Sequence, residues 1–224
     1  QWGRSIREFP IVNLIIERGW YARAFGILLG FGVWTVLASR FPNELMPYPY
    51  ETFVLAYDLL GSGRAVTNIW WTLKLTIWGF FGSLLIGGVL GVAMGINNFG
   101  RVFFTPYVLA GLSVPAVAWA AAATLIFGFG AIGPIGATVL TTFPYIAINV
   151  WKGVESIESE LIEMGQSFNL SNRRLLKRVI LPSAAPALFT AVRFGLAISW
   201  KIVTIAEVFA GNKGVGFALW HAYQ

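Results

Sequence analysis

The chain has 224 residues, 57% of them hydrophobic and 12% charged, with mean hydropathy +0.69. Soluble domains carry about 25% charged residues, so a soluble scaffold is excluded. The net charge of +6 reads as a cytoplasmic excess of Lys and Arg on a membrane protein rather than as a nucleic-acid footprint. With no cysteine and one histidine, His221, the chain offers no disulfide framework, thiolate nucleophile, zinc–thiolate site or histidine metal cluster.

The chain opens at Gln1, so the native start is read as missing. Residues 1–19, with Arg4, Arg7, Glu8, Glu17 and Arg18, lack the pattern of a cleavable signal peptide and read as a cytoplasmic lead-in. Residues 20–224 form the transmembrane domain. A spanning helix needs about 20 apolar residues, and five stretches qualify: 20–38, 68–95, 104–127, 132–151 and 186–208. Between the first two, Met46-Pro47-Tyr48-Pro49 precedes an amphipathic piece at Phe53 to Leu60, expected as a short helix on the membrane surface. Gly87, Gly91 and Gly95 recur every fourth residue and predict close helix packing in preference to a pathway role. Pro115 and Pro144 fall inside spans and predict kinks. Residues 209–224 are too short and too rich in glycine to span. Lys and Arg collect on one side (Arg23, Arg101, Lys152, Arg173, Arg174, Lys177, Arg178), which puts the N-terminus inside.

The densest charge lies in the 152–185 loop. Glu155, Glu158, Glu160 and Glu163 are followed by Arg173, Arg174, Lys177 and Arg178. The pattern predicts helix, turn, helix, with Asn169 in a left-handed conformation at the turn. Ser171 or Asn172 is the expected cap of the second helix, and Pro182 is expected to break it.

This stretch, "EMGQSFNLSNRRLLKRVILP", resembles the cytoplasmic "EAA" loop of permease subunits of binding-protein-dependent ABC importers. Counting back from Leu181-Pro182 places the pattern's aliphatic at Val179, its glycine at Asn169 and its glutamate at Glu163; the two alanines become Met164 and Gly165. "LSVPAVAWAA", "FPYIAINVWKGV" and "AEVFAGNKGVGFAL" extend the likeness to the nitrate/sulfonate/taurine/bicarbonate-type subgroup. The resemblance implies an all-α polytopic protein with the type I ABC importer permease (MetI-like) fold, with five transmembrane helices here and a sixth missing at the C-terminus.

It further implies a prokaryotic inner-membrane pore of two permease subunits, read as a homodimer, with two separate ABC ATPases beneath. An extracytoplasmic binding protein delivers the solute, a small anion such as nitrate, bicarbonate, a sulfonate or taurine; a heterocyclic vitamin precursor is the alternative. The ATPase-coupling residues implied are Glu163, Met164, Gly165, Phe168, Asn169, Leu170, Leu181 and Pro182. ATP and Mg belong to the ATPase, and no cofactor is expected in this chain, which contains no G-x-x-x-x-G-K-[ST] sequence.

Lys201, near the middle of its span, is a candidate for the translocation path or for a structural salt bridge. Glu207 is expected as a buried hydrogen-bonding site near the outer gate and is a second path candidate. Asn149 and Trp200 are further path candidates, with packing as the plainer reading. Lys74 is expected to snorkel outward, and Arg193 to anchor its span at the cytoplasmic edge. A secondary transporter would need inverted repeats or matched broken helices, and a membrane enzyme clustered His, Asp or Cys; the sequence has neither.

Overall fold

The computed structural model describes residues 19–224, so the 1–18 part of the lead-in lies outside the described residues. The chain divides into two compact units, one ending at Arg64 and the other running from Ala65 to Gln224.

In the first unit, α1 (Gly19–Ala38) is a 20-residue apolar helix, exposed along nearly all its length. That is about 30 Å, the thickness of a hydrocarbon core. A turn leads to α2 (Pro49–Gly61), where the expected short helix is found. Pro49 suits the first turn because its missing N–H has no partner to lose. The Glu51 carboxylate accepts the Tyr48 N–H at 3.1 Å, satisfying one donor at the helix start. The Trp34 indole donates to the Pro47 carbonyl at 3.1 Å and ties α1 to the connection.

The second unit is built on α3 (Arg64–Ile96), α6 (Ile132–Glu155) and α10 (Ala185–Ala210). The glycine stripe of α3 is packed against α6. A Cβ at Gly87 would stand 2.5 Å from the Phe143 carbonyl oxygen, one at Gly91 2.6 Å from that of Ala147, and one at Gly95 2.5 Å from Val154 Cβ. No side chain fits between these backbones, and close approach of this kind replaces the hydrophobic drive that lipid does not supply. The interface also buries hydroxyls: Ser83 donates to Gly79 O at 2.7 Å, and lies 3.3 Å from Thr138 O.

The expected 104–127 span is not one straight helix. It consists of α4 (Asn98–Ser113) and α5 (Ala116–Phe127), bent by 102° at Val114-Pro115. Proline excludes the helical conformation from the residue before it, and Val114 is extended at φ −80°, ψ 126°. The Trp119 indole bridges the bend to the Gly111 carbonyl at 3.1 Å. The 132–151 stretch lies within one helix, α6, of 24 residues, with Thr138, Thr141 and Thr142 buried in it. Length and composition mark α1, α3 and α10 among the described residues, and a fourth span if the bent pair counts as one. Pro144 stays inside α6, packed against Gly111.

Candidate functional site

The charged segment folds as α7 (Ser159–Ser167), a turn, and α8 (Asn172–Leu175), which continues through a π-helical stretch (Leu176–Ile180) into α9 (Leu181–Ser183). Asn169 is the only non-glycine residue with positive φ among the described residues, at 50°. The Leu170 N–H reaches back to the Gly165 carbonyl at 3.1 Å and the Phe168 N–H to Met164 O at 3.1 Å. The first bond is the long one of a Schellman ending, which needs a left-handed residue after the helix. Ser171 occupies the N-cap of α8, but its side chain makes no capping bond; its carbonyl accepts the Leu175 N–H at 2.9 Å.

Gly165 is buried, and a Cβ on it would stand 2.5 Å from Leu175 Cδ1. Leu175 therefore occupies the space an alanine methyl would take, which accounts for glycine at this position. Ile162, Leu176 and Val179 pack against a core of Leu175, Ile180, Val154 and Val150. The underside of α7 is thus joined by side-chain contact to the ends of α6 and α10. The other side is open: Met164 is 50% and Phe168 75% exposed, beside the exposed Glu163. An apolar pair next to a carboxylate at the end of a helical hairpin is a surface suited to a partner.

Pro182 does not break the second helix as expected. Its ring would clash with the carbonyl four residues earlier in a regular α-helix. The wider π turn relieves this: the Leu181 N–H donates to Leu176 O, five residues back. The chain stays helical through Leu181 and Pro182 and enters α10 at Ala185-Pro186.

At the far end of α10 lies a second constellation. Glu207 is fully buried and accepts the Thr72 hydroxyl at 2.9 Å and the Gly216 N–H at 2.9 Å. The same Thr72 oxygen accepts the Val215 N–H at 2.9 Å, and Asn68 Oδ1 accepts the Gly214 N–H at 3.2 Å. Val215 and Gly216 open α11 (Val215–Tyr223), so side chains of α3 and α10 satisfy the first donors of the following helix. Gly214, at φ 112°, lies against the Glu207 carboxylate, where any Cβ would collide with it. These contacts explain the sequence Ala206-Glu207 followed by Gly211, Gly214 and Gly216: a buried acid needs bare backbone to approach it. Glu207 is therefore a latch holding the α10–α11 turn, and it is not exposed on an open face.

The remaining path candidates are not brought together with it. Lys201 and Trp200 are exposed on α10, while Asn149 on α6 donates to its own helix at Tyr145 O, 2.7 Å away. Lys74 is exposed, with its ammonium 5.6 Å from the Trp70 ring. Arg193 is exposed on α10. It lies in the third turn of α10, about 12 Å from Ala185. At the end of α6, Glu155 pairs with Arg101 at 2.9 Å, an exposed contact of little energetic weight.

Apolar helices long enough to cross a membrane, joined through a charged helical hairpin, make a polytopic membrane protein. Residues 83–224 match the family of binding-protein-dependent transport system inner membrane components, and the chain belongs to that family. It is 28% identical to the taurine transport system permease protein TauC of Escherichia coli (strain K12), over 82% of this chain and 69% of that one. It is 27% identical to the bicarbonate transport system permease protein CmpB of Synechococcus elongatus, over 92% and 80%. The nitrate import permease protein NrtB of Synechocystis is 25% identical, over 86% and 73%. The fold resembles the MetNI methionine ABC transporter, solved in inward-facing conformations, with a TM-score of 0.64 over 70% of this chain and 79% of that one at 22% identity. The chain is thus a multi-pass membrane protein of a transporter family whose permeases work with ATPase and substrate-binding partners.

Proposed function

We propose that the chain is the pore subunit of an ATP-driven importer for a small anion, coupled to separate ATPases through α7 and the turn at Asn169. The observation that carries this reading is the hairpin itself. It has one face locked into the core through Gly165 and Leu175, and one face left open at Glu163, Met164 and Phe168. A rigid-body push on the open face is transmitted to α6 and α10, because the locked face shares their core. Glu163 supplies a carboxylate for a charge-assisted contact, which is directional as well as attractive.

The names of the relatives, taurine, bicarbonate and nitrate permeases, support an anionic or sulfonated solute. The pore holds two copies of the chain, the N-terminus is cytoplasmic, and a binding protein delivers solute at the Glu207 end. ATP and Mg are held by the ATPases, and this chain does no covalent chemistry. The test is co-expression with the ATPase and determination of the mass of the purified complex. Two permeases with two ATPases is the expected composition; a monomer that carries solute without an ATPase would contradict it.

A further inference from the structure

Arg193 and Lys201 raise a problem of charge. Both are exposed on α10, and neither has a hydrogen-bond or ion-pair partner among the described residues. They lie eight residues apart, about 12 Å along the axis, and within roughly 80° of each other around it. The same stripe carries Thr190, Ala197 and Thr204, and Thr190, Arg193, Phe194 and Ala197 line a cleft of about 400 Å³. α10 has 26 residues, or about 39 Å, against a hydrocarbon thickness of about 30 Å. Both cations therefore fall within the apolar layer, where an unpaired charge is unfavourable and must face water or a counter-charge.

Among the described residues, no carboxylate of this chain pairs with either cation. Glu207 is the only carboxylate on a membrane-spanning helix among the described residues, and it is fully buried and already engaged by Thr72 and Gly216. Glu155, Glu158, Glu160 and Glu163 lie at the end of α6 and on or beside α7; Glu44, Glu51 and Asp58 lie on or beside α2.

We propose that the Arg193–Lys201 stripe of α10 lines a water-filled path and binds the anion in transit, which acts as the missing counter-charge. The proposal rests on the permease reading above and adds to it the residues that select for charge. Two cations at successive depths offer two stations, so an anion can pass from one to the other without leaving positive potential. Positive charge at low-dielectric walls concentrates anions and excludes cations.

The chain has no cysteine, so an introduced thiol is the only one in the permease. Ala197→Cys places it between the two cations without removing either. In the permease–ATPase complex in nanodiscs, its rates of modification by an anionic and a cationic hydrophilic thiol reagent are compared with those of free cysteine. The expected result is modification by both, with the anionic reagent favoured by about tenfold or more over the free-thiol ratio. Nitrate should slow the reaction, and adding Arg193→Gln and Lys201→Gln should abolish the preference. Leu28→Cys, on the exposed apolar helix α1, serves as the lipid-facing control. An unreactive Ala197→Cys, or a reactive one without charge preference, overturns the proposal. Loss of the ATPase from the unmodified complex would instead count against the importer reading, so the two failures are distinct.

Discussion

Asn169 stands in the left-handed region at φ 50°, where an L-residue with a branched Cβ is strained by roughly 1–2 kcal/mol. Asn169→Gly should leave solute uptake unchanged, while Asn169→Val should reduce it without loss of membrane insertion; normal uptake by the valine variant would contradict the turn's role. Glu207 is the other residue whose environment dictates its identity. Glu207→Ala leaves the Thr72 hydroxyl and the Gly216 N–H without their acceptor in a buried site, at a cost of about 1–3 kcal/mol for such a group. The variant should melt several degrees lower in detergent, and Glu207→Gln, which keeps one carbonyl oxygen, should recover part of the loss. Equal melting of wild type and Glu207→Ala would mean that the latch contributes nothing.

At the scale of elements, what could be read from residues follows from how local its cause is. The turn at Asn169 and the packing of Gly87, Gly91 and Gly95 depend on neighbours a few positions away or on one helix face, and both are found where periodicity and turn chemistry place them. The bend at Val114-Pro115 falls where Pro115 predicts a kink, but its size and the π stretch before Pro182 are not legible in the residues. Proline announces a disturbance, but surrounding packing decides whether it ends a helix, bends it by 102° or widens one turn. The 132–151 stretch is helical as its length predicts, and its polar residues are carried inside the protein: Thr138 and Thr141 are buried and donate to their own helix carbonyls. The Glu207 network joins residues 135 positions apart through Thr72. Only the acid and the downstream glycines hinted at it.

For the whole molecule, the account divides the charged hairpin into two tasks. On the proposed function, the acidic, apolar tip around Glu163 and Phe168 is the part to meet the ATPase, and the exposed Arg173, Arg174, Lys177 and Arg178 are the part to face an anionic lipid surface, where each basic residue is worth about 1 kcal/mol. Their separation by the Asn169 turn makes the tasks separable by mutation. The most direct measurement is ATP hydrolysis stimulated by the loaded binding protein in proteoliposomes, made with Glu163→Lys and Arg174→Gln permeases and read alongside co-purification of the ATPase. Glu163→Lys should insert and melt as wild type yet lose the ATPase and the stimulated hydrolysis, whereas Arg174→Gln should keep both with a modest fall in yield. Full stimulation in Glu163→Lys together with its loss in Arg174→Gln would place the coupling surface on the basic half of the hairpin and contradict the account.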